Sequence, residues 1–184
     1  MNQVRCITLL VVCHTVCHTV ASPQLTDLDP LWPPATGSTE AVRLAIQTGQ
    51  VARAAALITL LEPSVQDLWR GILAITQNDA TGAIRVLRKT NHPKALGVAY
   101  YLAGQQILFR EQMAEAIRAD PADFGPYYYL GRHYDSDVDN ADEAVRWFRL
   151  ALERNEGYVR ARSHLGGCLE RLGKTVEAEA AYDA

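Results

Sequence analysis

Three groups of residues in this 184-residue chain have types and spacings that could do chemistry. The first is the tandem duplication Cys13-His14-Thr15-Val16-Cys17-His18-Thr19-Val20. Its Cys13-x-x-x-Cys17-His18 is one residue longer than a haem c attachment spacing, and it also reads as a Cys/His metal tract. The second is His164 with Cys168, four positions apart and so on one helix face, with His133 in the preceding stretch. These could form a thiol–imidazole pair or a three-ligand metal patch. The third is Asp135-Ser136-Asp137-Val138-Asp139-Asn140, which opens like a calcium loop but places Arg146 where the twelfth-position Glu belongs. Each group has a plainer reading. Cys13–His18 serves as the core of a signal segment, Cys168 and His133 fill small places between helices, and the Asp loop is a solvated turn next to a helix N-terminus. The plainer readings prevail. There is no phosphate-binding Gly loop, no His-Glu-x-x-His, no Gly-x-Ser-x-Gly and no carboxylate clearly spaced to orient an imidazole. The expectation is a protein with no catalytic residues, no metal ligands and no cofactor.

Composition narrows the class further. Apolar residues make up 48% of the chain, enough for a packed core, and 18 Lys+Arg against 21 Asp+Glu leave a net charge of −3. That balance argues against a nucleic-acid partner held by a broad phosphate footprint. Residues 1–21 read as a signal peptide: Arg5 supplies the basic start, Cys6 to Val20 is mostly apolar, and Thr19-Val20-Ala21 suits cleavage after Ala21. The run is short and broken by Thr and His, unlike a spanning helix of about 20 apolar residues. Val12 before Cys13 does not suit a lipoprotein anchor. The mature chain is therefore expected to be exported, periplasmic or secreted, with no stable membrane span. Cleavage would remove Arg5 and three of the four cysteines, leaving Cys168 and no intrachain disulfide. Residues 22–37 carry Pro23, Pro30, Pro33 and Pro34 and read as a linker, with Leu31-Trp32 able to dock on the first helix.

The elements that must position these side chains follow from an internal period. Leu96-Gly97-x-x-Tyr100 recurs as Leu130-Gly131-x-x-Tyr134 after 34 residues and as Leu165-Gly166-x-x-Leu169 after a further 35. In the second half of each unit, Phe109, Met113 and Ala116 are matched by Ala144, Phe148 and Ala151, then by Ala178 and Tyr182. Both halves have the spacing of amphipathic helices. In these residues the chain resembles the tetratricopeptide repeats, with Tyr127, Leu130, Gly131, Tyr134, Ala144, Phe148 and Ala151 giving the fullest match. It departs from the signature at Pro93, Phe109 and Glu156. The resemblance spans residues 38–184 as units of about 38–62, 64–89, 90–123, 124–158 and 159–184, the second about eight residues short. It implies an all-α, right-handed α-solenoid of antiparallel helix hairpins, in which stacking supplies the core. The last unit stops inside its second helix, and the expectation is a fragment or truncated chain.

The resemblance also implies a binding groove lined by the first helix of each unit. Carried onto this chain, the family's groove positions are Lys94, Val98, Tyr101 and Leu102, then Tyr128, Arg132 and Asp135, then Arg160, Ser163, Glu170 and Arg171. An extended peptide would lay apolar side chains on Tyr101 and Tyr128 and pair carboxylates with Arg132 and Arg160. Val98 stands where some members carry the Asn of a carboxylate clamp. The implied function is a non-enzymatic protein-interaction scaffold. The alternative is the recognition region of a larger exported enzyme or envelope assembly.

Overall fold

The computed structural model describes residues 25–33, 37–136 and 138–183. The signal segment with Cys13–His18, and Asp137 of the acidic loop, lie outside the described residues. Apolar spacing, caps and turn residues divide the described chain into ten α-helices: α1 (Gly37–Gln47), α2 (Val51–Ile58), α3 (Pro63–Thr76), α4 (Ala80–Leu87), α5 (Pro93–Leu102), α6 (Gln106–Ala119), α7 (Phe124–Ser136), α8 (Ala141–Arg154), α9 (Val159–Arg171) and α10 (Thr175–Asp183). No strand occurs among the described residues. Pro63 and Pro93 open their helices at the position where a missing N–H costs nothing. Asp79 caps α4 by accepting from the Gly82 N–H at 2.8 Å, and Asn140 caps α8 by accepting from Glu143 at 3.1 Å.

Consecutive helices pair as antiparallel hairpins, α1 with α2 through α9 with α10, and the pairs stack into an α-solenoid. Each hairpin turns on a residue in the left-handed region: Gly49, Asn78, Gly104, Asp139 and Gly173. The four later hairpins share one interlock. A Cβ added to Gly71, Gly97, Gly131 or Gly166 would stand 2.3–2.6 Å from the side chain of Leu87, Met113, Phe148 or Tyr182 respectively. A first-helix glycine therefore receives a large second-helix side chain, and this contact sets the register of the hairpin. Phe109, Met113 and Ala116 are buried in α6 at i, i+4 and i+7, as are Ala144, Phe148 and Ala151 in α8. The short second unit loses its residues from the second helix, because α4 has 8 residues where α6 and α8 have 14.

Two features go beyond the periodic reading. The stretch read as a linker contains a 3-10 helix, Leu25–Leu31, which ends against the repeats. At seven residues it is long for a 3-10 helix, with Pro30 inside it, and Leu28 and Leu31 anchor it in the core. Second, α7 is buried nearly all round: Tyr127, Tyr128, Tyr129, Leu130 and His133 are each at most 6% exposed. It lies against α5, α6, α8, α9 and the leading 3-10 helix, which leaves it no open stripe.

Candidate functional site

The face made by the first helices α1, α3, α5, α7 and α9 is where the leading segment settles. Leu28 and Leu31 bring their side chains into the common core at 1% and 3% exposure. Trp32 stacks on Trp69 of α3, with ring centroids 6.3 Å apart and planes 25° from parallel. The Pro30 carbonyl oxygen lies 2.9 Å from the position a Cβ on Gly125 would take, so the segment's backbone rests directly on the start of α7. Asp29 Oδ2 stands 3.6 Å from Arg160 Nε of α9. Between the segment and the repeats remains a cleft of about 310 Å³, lined by Leu31, Trp32, Leu68, His92, Lys94 and Asp123 among others. Burial holds the His92 imidazole below its ordinary range.

The forces on this segment are modest. Burying Leu28 and Leu31 contributes about 1.5–3 kcal/mol each. Ordering a residue costs about 1–2 kcal/mol, so the gain and the cost are of the same order. The Asp29–Arg160 pair is 47% and 34% exposed. A pair so open to water contributes about 0–1 kcal/mol. The docking is thus set by two leucines and an indole, with charge deciding register more than strength.

The eleven expected groove residues divide three ways. Val98 and Tyr128 are 1% and 0% exposed and cannot act as open shelves. Tyr128 is enclosed by Tyr129, Phe148, Tyr158 and His164, a result of α7 being covered on every side. A second set is already engaged. Lys94 Nζ donates to Asp123 at 2.5 Å, Arg132 Nη1 to the Tyr128 hydroxyl at 3.4 Å, and Arg171 Nη2 to Asp135 at 2.6 Å, while Arg160 faces Asp29. Tyr101 is half-buried with its ring 5.3 Å from Phe109. Leu102 is half-buried, and Ser163 and Glu170 are exposed. The structure therefore groups Arg160 with Asp29 at one end of α9 and Asp135 with Arg171 at the other. Leu28, Asp29 and Pro30 were not among the expected site residues, although Leu28, Leu31 and Trp32 carry an apolar spacing inside a Pro-rich stretch.

Asp135 is the centre of a polar cluster joining α7 to α9. Its carboxylate is 15% exposed and accepts from Arg171 at 2.6 Å and from the Cys168 thiol at 3.3 Å, with His164 Nδ1 3.6 Å away. Burial raises the Asp135 pKa, but His164, Cys168 and the Arg171 charge outweigh it and hold the carboxyl below its ordinary range. Burial, reinforced by the Asp135 charge, pushes the Cys168 thiol up to about 12. The thiol thus keeps its proton and donates a hydrogen bond to Asp135. The His164 ring lies flat on Phe148, with centroids 5.4 Å apart. A carboxylate does stand beside an imidazole, contrary to the expectation from spacing, because the two meet across successive units. A protonated thiol in that setting is not a nucleophile. His133 is buried against Phe109, with centroids 5.2 Å apart. No cluster of three or more His, Cys, Asp or Glu able to hold a metal occurs among the described residues. The opening Asp of the acidic loop is occupied by α9, and Asn140 is occupied by its cap.

A solved structure of MamA is similar over 77% of this chain and 90% of its own, with a TM-score of 0.61 and 20% identity. Another, MamA from residue 41 to the end from Desulfovibrio magneticus RS-1, is similar over 79% and 89%, with a TM-score of 0.59 and 19% identity. What is shared is the fold. No family model matches the chain, and no curated protein matches it. Among the described residues, no helix is long and apolar enough to cross a membrane.

Proposed function

We propose that this chain is a non-enzymatic protein-interaction scaffold, exported after cleavage near Ala21, whose first-helix face takes a segment of a protein partner. One observation carries the reading: that face already receives a peptide segment, with two leucines buried, an indole stacked and an aspartate opposite Arg160. The repeat architecture supports it, because stacked hairpins give a continuous surface whose position does not depend on a partner.

Arg132 is a poor probe, because it donates to the buried Tyr128 hydroxyl. Photo-crosslinking residues at Leu102 and Ser163, on first helices, are the better test, with Arg118 and Arg146 on second helices as comparison. Discrete protein adducts are expected from the first pair and not from the second. Equal labelling from all four positions would remove the face from consideration.

A further inference from the structure

The segment on the first-helix face is part of the same chain, and its chemistry defines what that face accepts. Reading along it, Leu28 and Leu31 enter the core, Asp29 looks toward Arg160, Pro30 lays its carbonyl against Gly125, and Trp32 covers Trp69. These contacts touch α3, α7 and α9, so one short stretch bridges non-adjacent repeats. Among the described residues, no backbone hydrogen bond joins the segment to the repeats. The one recorded at its end, Trp32 N–H to the Asp29 carbonyl at 3.3 Å, closes the segment on itself. The Trp32 Nε1–H is buried with no acceptor among the described residues, beside the cleft that runs from Trp32 to Lys94. Among the described residues, the contacts that hold the segment are thus made mostly by its side chains, and the Trp32 indole N–H has no acceptor there.

We propose that residues 25–32 are a resident, displaceable occupant of the first-helix face, and that the external partner is a segment of the same chemistry. That chemistry is two aliphatic side chains three apart, an acid just after the first, and an aromatic ring after the second. This rests on the scaffold reading above and deepens it by naming the partner class and the device that withholds the face. In cis, the segment is supplied at the high effective concentration that a short tether gives. An outside segment must therefore either bind better, for example by giving Trp32's site an acceptor, or arrive when the resident has swung out.

The test uses the full chain and a labelled synthetic peptide of residues 25–33, Leu-Thr-Asp-Leu-Asp-Pro-Leu-Trp-Pro. L28D/L31D, which prevents resident docking, is expected to bind the peptide at least ten-fold more tightly than the unaltered chain. A peptide carrying Arg in place of Asp29 is expected to bind that variant several-fold more weakly, and to regain affinity when Arg160→Asp is added. Arg160 is partly exposed, so Arg160→Asp alone provides a second measurement that does not disturb the core. It removes the partner of Asp29 for the resident and for the peptide alike, so it is expected to leave the unaltered peptide bound no more tightly, while the peptide carrying Arg in place of Asp29 binds it several-fold more tightly than it binds the unaltered chain. Equal peptide affinity for the unaltered chain and L28D/L31D overturns the proposal, as does no binding to either of them with far-ultraviolet helicity intact. A dimer in sedimentation that L28D/L31D dissolves also overturns it, since the segment would then sit on a second copy. Crosslinked partners at Leu102 and Ser163 with no peptide effect would leave the scaffold reading standing and the resident segment refuted. The reverse result would leave the segment and remove the scaffold.

Discussion

At the scale of single residues, Asp135 illustrates how position overrides residue type. Read in sequence it opens an acidic loop; in the fold it is nearly covered and answers three groups of α9. Because its folded-state pKa lies below the ordinary 3.8, its contribution to stability is fully present above that value. The contribution is lost as the pH falls through the depressed folded value. Asp135→Asn is therefore expected to lower stability by about 1–2 kcal/mol at neutral pH, from weakened charge-assisted hydrogen bonds. The gap between variant and parent should close as the pH is taken well below 4. Urea titrations at pH 7 and pH 3 measure both ends, and a gap that is constant with pH would show that Asp135 is not the titrating partner. The Cys168 thiol, held at about 12, adds nothing to titration in the ordinary range.

At the scale of elements, the hairpin is fixed by a glycine opposite a bulky side chain. Gly131 faces Phe148 at 2.6 Å from a notional Cβ. Gly131→Leu should cost roughly 1–3 kcal/mol or more by overpacking. Combining it with Phe148→Ala should cost less than the two single effects added together, because the cavity accepts the new side chain. Additive thermal shifts would mean that the two positions do not meet. These contacts explain what could be read from the sequence. The Leu-Gly spacing and the i, i+4, i+7 apolar positions are local, so Gly97, Gly131 and Gly166 and their helices were legible. Gly71 was not singled out, because the 34-residue period fails across the short α4. The placement of Tyr128 was not legible either. What encloses it comes from several elements at once, and the segment that ends against α7 joins Asp29 to Arg160 across more than a hundred residues. No periodicity records such a contact.

At the scale of the whole molecule, Cys168 is the one free thiol among the described residues, and stability there rests on stacked apolar faces. In such arrays each unit leans on its neighbours, so protection from opening should follow the burial of each helix. α7 has eight buried residues and α10 has only Ala178. Hydrogen exchange is expected to be slowest in α7 and fastest, among the helices, in α10. Uniform protection along the chain would indicate one cooperative block in place of a ladder of units. The stacked Trp32 and Trp69 rings have a practical consequence at this scale. Two indoles 6.3 Å apart couple their electronic transitions, so the chain carries a label-free optical gauge. Its near-ultraviolet dichroism and emission should change the moment that one ring leaves the other, and a stopped-flow instrument could time the departure with no dye attached.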